Sequence, residues 1–221
     1  MGPFARDSAR SNLSEQMKPL KLFPMFLKLS GRACLVVGAG SIAESKIASL
    51  LETHAKVRVV APQATAQIRS WAQGKKIEWR PRPFRPDDLQ GMFLVVAATS
   101  STELHEQIFD EASKRGVLCN VVDVPRLCDF YYPAVVQRGA LQIAISTAGQ
   151  SPALAQRLRR ELEEQFGPEY EAWLEQLGDA RDKLFSSTLD PEERKRLLHD
   201  QAGEAAFEAF LRNRLPSKRS R

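Results

Sequence analysis

The chain has 221 residues, of which 43% are hydrophobic, and this is enough to bury a core in one or two domains. No apolar run approaches the roughly 20 residues that cross a bilayer, and no secretory signal is recognisable, so we expect a soluble, cytoplasmic protein with no membrane partner. The net charge of +5 does not indicate nucleic-acid binding, because its excess lies in residues 1–30 and 215–221.

The first predicted strand leads into a glycine-rich turn. Ala33–Val37 is uncharged and apolar, and the next six residues fit the Gly-x-Gly-x-x-Ala pattern of dinucleotide-binding sheets. We expect Gly38 to allow the tight turn, Gly40 to let a pyrophosphate approach the backbone, and Ala43 to let the following helix lie close to the strand. The first amides of that helix would then face the phosphates. A purely structural glycine turn is the alternative.

A second apolar run, Val57–Ala61, completes a βαβ unit around this turn. Pro62 and Gln63 follow it, where an acidic residue usually binds the ribose of NAD. Gln63 can still donate a hydrogen bond to a ribose, so we favour NAD over NADP.

Strands and helices continue to alternate up to Asp123. We predict a helix over 65–73, a strand over 77–79, a loop over 80–86, a buried strand over 92–98, a helix from caps at 99–101 to about Lys114, and a strand over 117–122. These elements indicate an α/β fold with a Rossmann-type doubly wound parallel sheet. Asp123 lies at the carboxyl end of the last strand, where ligands and catalytic groups gather in such sheets. A solvated carboxylate is the alternative interpretation.

The pattern changes after Pro133. A half-covered strand over 141–146 precedes a helix that Ser151 caps and that ends near Phe166, and its leucine stripe predicts packing on a second subunit. Residues 168–212 are predicted to be helical. We therefore predict a tail over 1–21, an NAD-binding domain over 22–133, a small α+β dimerisation region over 134–166, a helical domain over 167–214 and a basic tail over 215–221.

Six segments resemble, in the family's order, the precorrin-2 dehydrogenases of siroheme synthesis. They cover about residues 22–165 and are Phe23–Leu29, Val36–Lys46, Val95–Thr99, Asn120–Asp123, Phe130–Ala134 and Ser146–Ala155.

The resemblance implies an enzyme that removes a hydride and a proton from precorrin-2, with NAD as cofactor, to give sirohydrochlorin. Some members also insert Fe²⁺. Asp123 matches the family's aspartate and is the candidate acid/base, since an ionised carboxylate can accept a proton. The expected cofactor-binding residues are Gly38, Ala39, Gly40, Ser41, Ile42, Ala43, Pro62, Gln63, Ala98 and Thr99.

Because the tetrapyrrole substrate carries several carboxylates, basic and polar partners are expected near Asp123. The candidates are Lys46, Asn120, Arg126, Thr147 and Ser151, with Arg138 and Arg157 as further basic residues, and each can equally be a surface group.

No metal-ligand spacing is present, and three cysteines without a Cys-x-x-Cys pair indicate reduced thiols. Two other functions stay open at this point. One is a dehydrogenase of a smaller substrate, disfavoured because no His or Lys base stands out. The other is a non-catalytic NAD-sensing module that regulates a partner.

Overall fold

The computed structural model describes residues 21–214, which form two compact units, one ending at Tyr132 and one beginning at Pro133. The first unit is built on five parallel strands in the order β3-β2-β1-β4-β5, which confirms the predicted Rossmann-type sheet. The strands are β1 (Ala33–Val37), β2 (Lys56–Val60), β3 (Glu78–Arg80), β4 (Leu94–Ala97) and β5 (Leu118–Val121).

Helices cover both faces of this sheet. Helices α1 (Ser41–Glu52) and α2 (Ala66–Gln73) pack on one face and α3 (Thr102–Lys114) packs on the other. Alternate residues of β1 enter the two cores: Cys34 and Val36 enter the first and Leu35 and Val37 the second. Because both faces are buried, the central strands have continuous apolar sequences instead of alternating ones.

The connection from β3 to β4 is held together by a buried carboxylate. Asp88 lies in a short 3-10 turn and is only 1% exposed. Its oxygens accept hydrogen bonds from Arg82 at 2.5 and 2.8 Å, from the Arg85 backbone amide at 2.9 Å and from Arg80 at 3.2 Å. Burial by itself raises the pKa of Asp88, but these hydrogen bonds outweigh it and the pKa is lowered from its ordinary value.

The second unit begins with a two-stranded antiparallel hairpin and continues as helices. Strand β6 (Ala134–Arg138) pairs with β7 (Leu141–Ile145), and β6 is not predicted from the sequence because it lacks a clear alternation of its own. Gly139, with φ of +55°, supplies the tight turn between the two strands. The helices are α4 (Pro152–Gln165), α5 (Glu169–Phe185), α6 (Pro191–Gln201) and α7 (Glu204–Arg214).

Aromatic rings hold the helices of the second unit together. The Phe207 ring lies 4.5 Å from Trp173 and 4.7 Å from Tyr170, and Tyr170 also contacts Phe166 at the end of α4. No helix within residues 21–214 is long and apolar enough to cross a membrane.

Replacing Asp88 with Asn should lower the free energy of unfolding near neutral pH by about 1–3 kcal/mol, because charge-assisted hydrogen bonds are lost. Since the pKa of Asp88 is lower in the folded protein than in the unfolded chain, its stabilisation is complete above the unfolded value and is lost as the pH falls through the folded value. Urea unfolding of both proteins, at neutral and at acid pH, measures this. An equally large difference in the free energy of unfolding at acid pH would contradict the stabilising role of the ionised Asp88 carboxylate.

Candidate functional site

The glycine-rich turn lies where the order of the strands reverses. Strand β1 has β2 on one side and β4 on the other, and ligands of doubly wound sheets bind at such a point. The Gly38 amide donates to Val60 at the end of β2, at 3.0 Å, and the Ala98 amide donates to Val37 at the end of β1, at 2.8 Å. The turn is thus fixed to both neighbouring strand ends.

The two glycines of the turn are needed for different reasons. Gly38 has φ of +108°, and a Cβ there would lie 2.1 Å from the carbonyl oxygen of Ala98. The protein itself therefore excludes a side chain at this position. Gly40 has an ordinary φ of −87°, and a Cβ there would meet no described atom within 4 Å. The space beside Gly40 is open for a ligand to approach the backbone.

Helix α1 begins at this open space with amides that have no partner among residues 21–214. Its first regular hydrogen bond runs from the Glu44 amide to the Gly40 carbonyl, at 3.1 Å. The amides of Ser41, Ile42 and Ala43 precede that bond, and Gly40 at the N-cap has no side chain to accept from them. Such a helix start binds anions. Ala43 is fully buried, as expected for close packing of α1 on β1, whereas Ile42 is exposed.

The segment after β4 contributes a buried polar atom. The Thr99 hydroxyl oxygen is buried and forms no hydrogen bond with any described residue. His105 in α3 fixes the Thr99 carbonyl through its Nε2 atom, at 2.9 Å. A buried hydroxyl without a protein partner, next to Gly38, can be satisfied by a polar group of a bound cofactor. Pro62 and Gln63, at the end of β2, are exposed.

Asp123 lies in a tight turn beyond β5. The turn spans residues 121–124 and is closed by a hydrogen bond of 3.2 Å from the Val124 amide to the Val121 carbonyl. Asp123 is its third residue, is exposed, and has φ of +61°. Non-glycine residues adopt that conformation infrequently. The carboxylate is therefore presented to solvent at the carboxyl edge of the sheet.

A half-buried lysine lies near this carboxylate. The Lys46 ammonium of α1 lies 3.8 Å from the ring centroid of Tyr132. Burial lowers the pKa of Lys46, and the negative charge of Asp123 partly offsets this effect. Burial also raises the pKa of Tyr132 to about 12, so its hydroxyl stays protonated. The structure thus brings together Lys46 and Asp123 and adds Tyr132, which the sequence analysis missed although it lies in the aromatic run 130–132.

Asn120 does not face open solvent. It is 7% exposed, and its side-chain amide donates to the Phe130 carbonyl at 2.8 Å and to the Cys128 sulfur at 3.4 Å. The contact between Asn120 and substrate stays a prediction, and the Nδ2 group of Asn120 is bound within the protein. It joins the segment after the Asp123 turn to β5.

The candidate arginines have protein partners. Arg126 forms an exposed ion pair with Glu106 of α3, and Arg157 pairs with Glu161 at 3.3 Å. Arg138 donates to two backbone carbonyls at the end of α4, at 2.8 and 3.0 Å. The guanidinium of Arg138 thus caps that helix, and its binding to substrate stays a prediction. Exposed ion pairs such as those of Arg126 and Arg157 contribute little stability and can be exchanged for a ligand.

Thr147 and Ser151 belong to the second unit and act in the start of α4. The Thr147 hydroxyl oxygen accepts from the Ser151 amide at 3.2 Å, and the Ser151 hydroxyl oxygen accepts from the Leu154 amide at 3.2 Å. Ser151 is therefore the predicted N-cap. Each hydroxyl still has a proton to donate.

The three cysteines are free thiols. Burial raises the pKa of Cys34 to about 11 and that of Cys119 to about 12, so both are unreactive at neutral pH. Within residues 21–214, no three His, Cys, Asp or Glu side chains are arranged to hold a metal ion.

The sequence matches known families over most of the described chain. Residues 25–134 match a family model described as NAD(P)-binding, and residues 138–165 match one described as sirohaem biosynthesis protein central. A siroheme synthase from Nitrosococcus oceani is 41% identical over 144 residues, which are 65% of this chain and 31% of that protein. A siroheme synthase from Neisseria meningitidis serogroup C is 36% identical over 194 residues, which are 88% of this chain and 40% of that protein.

A solved structure is similar over nearly the whole described chain. The protein named SirC, precorrin-2 dehydrogenase, superposes with a TM-score of 0.72 at 26% identity, covering 87% of this chain and 98% of that one. The chain spans only about a third to two fifths of the length of the siroheme synthases it matches. The predicted fold is thereby confirmed, and the predicted NAD cofactor agrees with the NAD(P)-binding family model.

Alanine substitutions should distinguish the roles of the two glycines of the turn. Gly38→Ala should destabilise the protein by more than about 2 kcal/mol, because its Cβ would collide with the Ala98 carbonyl. Gly40→Ala should change stability by less than about 1 kcal/mol but weaken NAD⁺ binding, because only the ligand needs that space. Thermal unfolding and titration calorimetry with NAD⁺ measure both effects. Unchanged NAD⁺ affinity in Gly40→Ala would contradict the assignment of the turn.

Proposed function

The chain belongs to the family of the siroheme synthases, and from this premise we propose that it oxidises precorrin-2 to sirohydrochlorin with NAD⁺. The observation that carries the proposal is that one sheet edge combines a glycine turn and the uncapped start of α1 with the exposed carboxylate of Asp123. The similarity to a precorrin-2 dehydrogenase over nearly all of that enzyme's length supports it.

The residues of the turn fit a dinucleotide. The open space at Gly40 and the free amides of Ser41, Ile42 and Ala43 are suited to the pyrophosphate. We assign the ribose to Gln63, and a further polar contact to the buried Thr99 hydroxyl. NAD⁺, when bound, supplies the acceptor for the hydride.

Asp123 is the base in this proposal. Oxidation of precorrin-2 removes a hydride and a proton, and the carboxylate of Asp123 accepts the proton. Because Asp123 is exposed, the proton can then pass to water without movement of the protein. Lys46 places a positive charge near this carboxylate.

Lys46 has a second role in the proposal, as a partner for a substrate carboxylate. Its ammonium packs on the Tyr132 ring and is half-buried, so water competes less for it than at the surface. An anionic group that replaces water there would gain an ion pair next to Asp123. The Tyr132 ring adds an apolar surface, 37% exposed, against which part of the tetrapyrrole can pack.

Asp123→Asn should lower kcat with precorrin-2 by about 10²–10⁴-fold, because the amide cannot accept the proton. NAD⁺ affinity should stay unchanged, since the pyrophosphate is bound elsewhere. Anaerobic absorbance assays measure turnover, and calorimetry measures binding. Asp110→Asn, the same change on the exposed side of α3, is the matched control and should be fully active.

Turnover of Asp123→Asn within a few-fold of the unsubstituted protein would exclude Asp123 as the base. Loss of NAD⁺ binding in this variant would make Asp123 a structural residue. An unsubstituted protein that binds NAD⁺ but never oxidises precorrin-2 would instead be a sensing module. Adding Fe²⁺ after complete oxidation tests the separate expectation of iron insertion, in which Fe²⁺ is a substrate.

We also propose that the protein is a homodimer formed through strand 141–146 and helix 152–166. One face of the β6–β7 hairpin packs on α4, whereas the opposite face remains exposed and carries Val135 and Ala144. Val135 is 36% exposed and Leu154 of α4 is 39% exposed. A second copy can cover these apolar side chains.

Light scattering at micromolar concentration should give twice the chain mass of 24.8 kDa. Val135→Glu should shift the protein towards monomer, because a charge would be buried in the contact. Phe185→Glu, which places the same charge at another exposed apolar position in the second unit, should leave the mass unchanged. A monomeric unsubstituted protein would contradict the proposal.

A further inference from the structure

A single thiol lies against both ends of the turn that presents Asp123. The Cys128 sulfur is 3.1 Å from the Val121 carbonyl oxygen and 3.3 Å from the Val124 carbonyl oxygen. These two residues are the first and the last of the four-residue turn. One S–H donor is thus within reach of a carbonyl on either side of Asp123.

The turn needs such support because of its backbone conformation. The φ of Asp123 is +61°, which a residue with a Cβ adopts only where the surrounding structure holds it. The turn has one backbone hydrogen bond of its own, from Val124 to Val121. Asp123 itself is exposed, so its side chain contributes no packing that would fix the turn.

Residues 128–130 are fixed to β5 by several contacts. Asn120 and Cys128 form an antiparallel bridge, and the Asn120 amide also donates to the Cys128 sulfur. Asp129 exchanges hydrogen bonds with the Cys119 backbone, through its amide and through its carboxylate, each at 2.8 Å. The Cys128 thiol is therefore held at a defined place relative to β5.

We propose that Cys128 is a positioning residue for Asp123: its thiol fixes the 121–124 turn so that the carboxylate meets the substrate in a reactive geometry. The inference rests on the proposed function. Burial keeps the pKa of Cys128 above its ordinary value, so the thiol stays protonated, which is the form that donates. Cys128 touches neither substrate nor cofactor in this proposal and acts only through the turn.

The test compares three single substitutions in the 221-residue chain. Cys128→Ala removes the donor and should lower kcat about tenfold, since displacements of about 1 Å can cost up to 10²-fold. KM for precorrin-2 and Kd for NAD⁺ should not change. Cys128→Ser keeps a donor and should retain kcat within about threefold of the unsubstituted protein. Cys119→Ala removes a thiol buried under α3 and should lower the melting temperature without lowering kcat.

The double variant Cys128→Ala/Asp123→Asn distinguishes an effect of Cys128 on the position of Asp123 from a loss of activity that is independent of Asp123. If Cys128 acts through Asp123, the double variant should be no slower than Asp123→Asn alone. If the losses of kcat in the two single variants multiply in the double variant, the proposal is overturned. Full kcat in Cys128→Ala would overturn it as well. Full activity of Asp123→Asn would instead overturn the proposed base. Should Cys128→Ala fail to fold, Cys128→Val fills the space of the thiol without the donor and must show the same tenfold loss.

Discussion

The carbonyl oxygen of Ala98 leaves no space for a side chain at residue 38, so the glycine turn packs directly against the segment that follows β4. Because Gly38 has no side chain, the ends of β1 and β4 can lie side by side at the point where the strand order reverses. The start of α1 then lies beside the segment that follows β4, which includes the buried Thr99 hydroxyl. A cradle for an anion arises from backbone alone, before any charged side chain contributes.

Close packing of α1 on the sheet links this cradle to the carboxylate. Ala43 is fully buried, so the first turn of α1 lies directly on the strands. Lys46 comes one turn later, on a side of the helix from which its ammonium reaches Tyr132 and the charge of Asp123. The small side chain at residue 43 therefore also determines where the positive charge lies. In the proposed function, the start of α1 binds phosphate and Asp123 accepts the proton, and helix α1 connects these two groups through Lys46.

The parts of the structure that depend on residues close together in the sequence could be predicted from it. The five strands, the glycine turn and the position of Asp123 at the sheet edge follow from local patterns of apolar residues and turn residues. Strand β6 could not be predicted because its partner, not its own sequence, stabilises it. Arg138 caps the end of helix α4 at residues more than twenty positions later, and Tyr132 contacts a lysine of α1. Such distant contacts leave no periodic signal.

The end of β2 explains how NAD can be favoured without an acidic residue there. Enzymes that bind NADP place an arginine near this point for the additional phosphate. Arg80 is adjacent, since its carbonyl accepts from the Ala61 amide, but its guanidinium is bound to Glu78 and to the buried Asp88. Arg58 is likewise paired with Glu78. To bind Arg80, a phosphate would have to compete with the buried Asp88 carboxylate, whereas a ribose hydroxyl needs only a neutral group such as Gln63. Selectivity for NAD over NADP can therefore arise because Arg58 and Arg80 are already paired with carboxylates of the protein.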